Sequence, residues 1–118
     1  MEDIVLDDSL LTGYLNSLGK VTVSRMLELY MQQSELYLAD IGKALESSSQ
    51  SLWQEHCHKM KGAAGSVGLK ALHIFLVNIE KSVAPRAEKK AMLANLNTLN
   101  AQGVRCFKHW LVVASGEK

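Results

Sequence analysis

The chain has 118 residues, 47% hydrophobic and 21% charged, the composition of one globular domain long enough to bury a core without disulfides or metals. A formal net charge of +1 with no dense Lys/Arg stripe argues against nucleic acid and acidic membrane surfaces as partners. The acidic start Met1-Glu2-Asp3-Ile4 lacks the features of a signal peptide, and apolar runs such as Ile74-Phe75-Leu76-Val77 fall far short of the ~20 residues of a membrane helix. One proline and few aromatics disfavour a β-sandwich, so the expectation is a single all-α domain over residues 1–118, cytoplasmic and monomeric.

Asp7 and Asp8 precede Leu10, Leu11, Tyr14, Leu15 and Leu18, a spacing that predicts a short capped helix stopping at Gly19. A longer helix follows from about Val21 to Leu45, with Val23, Met26, Leu27, Tyr30, Tyr37, Leu38, Ile41 and Leu45 on its apolar face and Ser34 inside that stripe. Glu46 to Gln50 reads as a turn, and Ser51 stands three residues before Gln54 as a capping box. The third helix runs to Gly68, which can take the left-handed conformation that ends a helix. Leu69, Leu72, Phe75, Leu76 and Ile79 give the fourth its face, and Val83-Ala84-Pro85 ends it, because the residue before proline avoids α geometry. The last helix extends from about Arg86 to Val113, with Met92, Leu96, Leu99, Gly103, Phe107 and Trp110 at helical spacing, before a tail, Ser115 to Lys118, expected to fray. Four substantial helices with short turns make an antiparallel up-down four-helix bundle, with the short N-terminal helix as an additional lid. No G-x-x-x-x-G-K-[ST] phosphate loop occurs, so no autonomous ATP-dependent activity is expected.

The third helix is divided. Trp53, Cys57, Met60, Ala64 and Val67 recur at steps of four and three and mark its buried stripe. His58, Lys61, Gly62 and Gly65 share the other side with Gln54, so His58 faces water. An interior glycine costs about 1 kcal/mol relative to alanine. Lying away from the stripe, Gly62 and Gly65 are expected to thin an exposed surface and admit a docking partner. Lys61, one turn on from His58, can bring an ammonium to an anion held on the imidazole, an attraction of up to ~4 kcal/mol at 4 Å and an effective dielectric of 20 before desolvation and screening. A carboxylate on a neighbouring helix would fix the tautomer and raise the basicity of the other ring nitrogen, and Glu80 on the fourth helix is the candidate. His56-Cys57-His58 diverge by about 100° per residue and cannot chelate together, while Cys106 and His109 supply too few ligands, so no metal site is expected. His56 is expected to pack or hydrogen-bond at the edge of the stripe, and Cys57 and Cys106 to remain free thiols.

The run His58-Lys59-Met60-Lys61-Gly62-Ala63-Ala64-Gly65-Ser66-Val67-Gly68 resembles the signature of histidine-containing phosphotransfer domains, most of all those that end Arc- and Tor-type tripartite hybrid sensor kinases. The resemblance extends over nearly the whole chain in length and helix order. It implies a four-helix bundle with an extra N-terminal helix, phosphorylation of an exposed His58 at Nε2, Lys61 near the phosphate, and Gly62 leaving space for the donor. It implies as well that Glu80, twenty-two residues after the histidine, hydrogen-bonds Nδ1. The function implied is phosphorelay: His58 takes a phosphoryl group from a receiver-domain aspartate and passes it to a response-regulator aspartate. Receiver domains are then the partners, and Mg²⁺ belongs to the receiver, with no cofactor bound by this chain. Leu69, Leu11 and Leu15 are expected to border His58 as the receiver's contact patch. The alternative reading is a helical-bundle adaptor that binds a partner protein without phosphotransfer.

Overall fold

Five helices follow one another in a computed structural model that describes residues 5–116: α1 (Asp8–Leu18), α2 (Lys20–Glu46), α3 (Gln50–Ser66), α4 (Lys70–Ile79) and α5 (Arg86–Ala114). Met1 to Ile4, on which the reading of the N-terminus rests, and the last two residues of the tail lie outside the described residues. The expected caps hold at α1, where Asp7 Oδ1 accepts from the Leu10 amide at 3.1 Å. At α3 the cap is Ser49 and not Ser51. Ser49 Oγ accepts from the Leu52 amide at 3.2 Å, so the helix starts two residues earlier than the Ser51-x-x-Gln54 pattern suggests. As far as the tail is described, the Ser115 and Gly116 amides donate to the Leu111 and Val113 carbonyls at 3.0 and 3.2 Å and close α5.

α2 packs on α3 and α5, α3 on α4, and α4 on α5, which is the ring of an antiparallel up-down bundle with three-residue turns at 47–49 and 67–69. α5, 29 residues, spans about 43 Å at 1.5 Å per residue, close to the 46 Å long axis. The stripe read from sequence forms the inner face of α3, with Trp53, Cys57, Met60 and Ala64 all between 0 and 1% exposed. Trp53 keeps its indole N–H satisfied by donating to the Ile79 carbonyl at 2.9 Å. The polar intrusion at Ser34 has a partner on α5: Asn100 Nδ2 donates to Ser34 Oγ at 3.2 Å, and the Tyr30 hydroxyl donates to Asn100 Oδ1 at 2.7 Å. This buried network fixes the register of α2 against α5, since a one-turn slip breaks both bonds to Asn100 and leaves Ser34 only its bond to the Met31 carbonyl in its own helix.

α1 is strapped across the α3–α4 turn. The Asp7 amide donates to the Gly68 carbonyl at 2.9 Å, the Ala71 amide to the Val5 carbonyl at 3.2 Å, and the Tyr14 hydroxyl to the Ser66 carbonyl at 2.9 Å. Gly68 sits at φ +76°, and a Cβ there would lie 2.9 Å from the Leu11 side chain, so both its backbone conformation and the seat of Leu11 need a glycine. Leu11 and Leu69 are consequently 0% exposed. Neither can border a docking surface. Their apolar spacing signals the core, because α1 is a packed element and the α3–α4 turn folds inward beneath it. Leu15 is half-buried against the same core.

Candidate functional site

α3 presents His58 outward from the stripe, and its side chain is 67% exposed. Glu80 caps the C-terminal end of α4, where its amide bonds the Leu76 carbonyl, and the antiparallel packing of α4 on α3 brings its side chain beside the imidazole. Glu80 Oε2 lies 3.3 Å from His58 Nδ1. The other carboxylate oxygen, Oε1, lies 2.7 Å from the Lys61 ammonium. Glu80, 11% exposed at its side chain, thus bridges two residues of α3 one turn apart. The Lys61 ammonium, through its hydrogen bond and its charge, holds the Glu80 carboxyl below the usual carboxylate range, with a smaller pull from His58 and against the opposing effect of burial.

The charge on Glu80 settles the imidazole tautomer. An ionised carboxylate only accepts hydrogen bonds, so Nδ1 carries the proton and Nε2 presents its lone pair. Nε2 has no hydrogen-bond partner among the described residues. The Lys61 ammonium is bound on the Glu80 side of the ring, which refines its expected place beside an anion on Nε2: in this state it serves the carboxylate. Lys59 is turned away, 3.4 Å from Glu55 on the exposed side of the helix.

The two glycines divide. A Cβ added to Gly62 meets nothing within 4 Å, so the surface beside His58 is open there. At Gly65 a Cβ would lie 2.9 Å from Nδ1 of His73 and 3.2 Å from its Cε1. Gly65 is therefore no clearance for a partner, contrary to the sequence reading; it is the seat of a side chain from α4. From that seat His73 Nδ1–H donates to the Lys61 carbonyl at 3.0 Å, tying α4 to the backbone of the turn that carries Lys61. Nothing in the sequence singled out His73, because its partner is a main-chain carbonyl on another helix. The sequence did not single out Leu29 either. It is 53% exposed on α2 and lines a groove of about 370 Å³ with Tyr14, Met26 and Ala63, beside the outer face of α3.

Cys57 lies beneath this site, and burial, followed by the nearby Glu80 charge, pushes its thiol up to about 12, which leaves it protonated and unreactive at neutral pH. His56 packs half-buried, with Nδ1 lacking a hydrogen-bond partner among the described residues. Cys106 is half-buried and His109 exposed, and both cysteines are free.

The model of the Hpt domain family matches residues 25–103, a span that holds His58, Lys61, Gly62 and Glu80. The chain belongs to the Hpt domain family. Two solved structures carry the similarity through the remaining helices. The histidine-containing phosphotransfer domain of ArcB from Escherichia coli matches with a TM-score of 0.82 at 26% identity, covering 93% of this chain and 95% of that one. A solution structure of the same domain of the anaerobic sensor kinase ArcB gives a TM-score of 0.81 at 26% identity over 94% of this chain and 90% of that one. No curated protein sequence matches. This Hpt domain has five helices and no strand among its described residues, and none of those helices is long and apolar enough to cross a membrane.

Proposed function

We propose that this Hpt domain relays phosphoryl groups between receiver domains of a two-component system, with His58 Nε2 as the atom that carries them. One observation carries the reading: an exposed imidazole whose Nδ1–H is held by an ionised Glu80, leaving the Nε2 lone pair facing outward without a partner among the described residues. In the accepting step Nε2 attacks the phosphorus of a receiver's aspartyl phosphate in line, the P–O bond to the aspartate breaks, and the electron pair leaves with the carboxylate. The product ring keeps its Nδ1 proton and gains positive charge, which Glu80 stabilises through the same hydrogen bond. In the donating step the N–P bond breaks toward a second aspartate and the neutral imidazole is restored. Lys61 keeps Glu80 ionised through the cycle and lies one turn from the incoming phosphate. Mg²⁺ held by the receiver would offset charge on the phosphoryl oxygens, and this chain supplies the nucleophile and its positioning.

The receiver's footprint centres on Gly62, where the backbone of α3 is bare, and continues into the groove over Leu29, Tyr14 and Ala63 in place of Leu11 and Leu69. The likeness to the domain of an anaerobic sensor kinase supports a setting inside the cell, next to or within such a kinase. To test the relay, the domain is incubated with a phosphorylated receiver and Mg²⁺. The expected product is a label on this chain that is acid-labile and alkali-stable, and that is absent in His58→Gln. An adaptor that binds receivers without taking label is the opposing outcome, and it would overturn the proposal.

A further inference from the structure

At one end of the bundle, away from α1, the turn between α2 and α3 meets the start of α5 around a cavity of about 210 Å³. Ser48, Ser49, Gln50, Trp53, Arg86 and Lys89 are among the residues that line it, and none of its lining residues is acidic. Lys89 is only 9% exposed. Its ammonium hydrogen-bonds Gln50 Oε1 and lies 5.0 Å from the centre of the Trp53 ring, both neutral groups. No carboxylate among the described residues lies within 4.0 Å of it. Gln50 is itself fixed by donating to the Ser82 carbonyl at 2.9 Å, so its oxygen is held toward the lysine.

The contrast with Lys61 is instructive. That ammonium has a side-chain exposure of 24% and is neutralised at 2.7 Å by Glu80. Lys89 is more deeply buried and has no counter-charge within 4.0 Å among the described residues, although a buried charge is costly unless an opposite charge and further hydrogen bonds compensate it. A cation–π contact and one amide oxygen offset part of that cost. They leave two of the three ammonium donors without an acceptor among the described residues. Arg86 adds a second cation to the same lining, and the Ser48 and Ser49 side chains add hydroxyls. α3 and α5 both begin here, so the N–H groups of their first turns add positive potential to an excess that already exists.

From the cavity, its two cations and its lack of any acidic group, we propose that this end of the bundle holds a phosphate-type oxyanion, with Lys89 as principal ligand, Arg86 as second charge and the Ser48 and Ser49 hydroxyls as neutral donors. The volume accommodates one tetrahedral anion together with a few waters at ~30 Å³ each. The site is separate from His58 and does not depend on the relay: none of its lining residues belongs to the His58, Lys61 and Glu80 group.

The test uses the full chain, ¹⁵N-labelled, titrated at pH 7 with inorganic phosphate, with phenyl phosphate, and with chloride at matched ionic strength. Saturable shifts of the Gln50 and Arg86 amides and of the Trp53 indole N–H are expected with phosphate and not with chloride. Saturation by phosphate alone assigns the site to the free ion, and saturation by both phosphates assigns it to phosphomonoesters as well. Lys89→Met keeps the stem over Trp53 and should weaken binding ~10-fold or more, the loss of one charge-assisted hydrogen bond. Arg86→Gln, at an exposed position, gives a second reading with a loss of a few-fold, and His58→Gln should bind as the parent does. A response to phosphate no different from chloride, or unchanged affinity in Lys89→Met, would overturn the proposal.

Discussion

Gly62 and Gly65 stand three residues apart on the same helix, yet they answer different needs. The outer face of α3 at Gly62 is open, while the side of α3 at Gly65 is filled by the His73 ring, 2.9 Å from where a Cβ would be. One glycine leaves room for something outside the fold, and the other lets the fold close on itself. Helical spacing places both on the side away from the core stripe but cannot distinguish them, because the difference comes from α4. Leu11 and Leu69 repeat the lesson in apolar form. Each looks like a border of the histidine face in sequence, and each is 0% exposed once α1 is strapped over the α3–α4 turn.

The largest effects are expected at the leucines. Leu11→Ala and Leu69→Ala should each destabilise the domain by about 2–5 kcal/mol in urea unfolding, the cost of a cavity in a packed core. Phosphotransfer per folded molecule should be unchanged. Normal stability with impaired transfer would return these residues to the docking surface.

The glycines come next. Gly62→Ala should stabilise by up to about 1 kcal/mol, since alanine is the better helix former and nothing obstructs its methyl group. Gly65→Ala should fall about 1–3 kcal/mol below Gly62→Ala, because the methyl group displaces His73 and breaks its bond to the Lys61 carbonyl. Bulk at Gly62 should act on the receiver instead, so Gly62→Gln should slow transfer while thermal stability stays near that of the parent. Equal stability of the two alanine variants would erase the distinction.

A coupling measurement sharpens the account of Gly65. In His73→Ala the ring is gone, so adding Gly65→Ala should then cost little, and the double-mutant cycle should give an interaction of about 1 kcal/mol or more. Strict additivity would mean that His73 is not what Gly65 accommodates.

The smallest expected effect is acid dependence at the bridge. Glu80 has a folded-state pKa below its unfolded value, so the Lys61–Glu80 pair contributes stability that is fully present above the ordinary value of 4.5. It is lost as pH falls through the lower folded value. Lys61→Met should flatten that part of the stability profile, whereas Lys59→Met, at an exposed pair with Glu55, should not.

Much of this architecture was legible in the sequence, for physical reasons that also mark where legibility stopped. The α3 stripe follows from 3.6-residue periodicity, while Glu80 was legible as a candidate carboxylate on the following helix and through the family resemblance. The bond from His73 to a main-chain carbonyl and the sharing of Glu80 with Lys61 depend on contacts between helices that periodicity does not encode. Ser34 stood out as a polar residue in an apolar stripe, but its partner Asn100 lies sixty-six residues away on α5 and carries no local signal. The α3 cap falls two residues before Ser51 because Ser49 and Ser51 compete for it, and backbone geometry decides in favour of Ser49.

In the proposed relay, Glu80 holds the proton on Nδ1 so that Nε2 is free to take the phosphoryl group. The direct measurement is the ¹H–¹⁵N correlation spectrum of the His58 ring at neutral pH, recorded before and after transfer from a phosphorylated receiver. The expected result is a protonated Nδ1 and an unprotonated Nε2 beforehand, a phosphorus coupling at Nε2 afterwards, and loss of the tautomer preference in Glu80→Ala. Phosphorus coupling at Nδ1, or a tautomer unaffected by removal of Glu80, would contradict it.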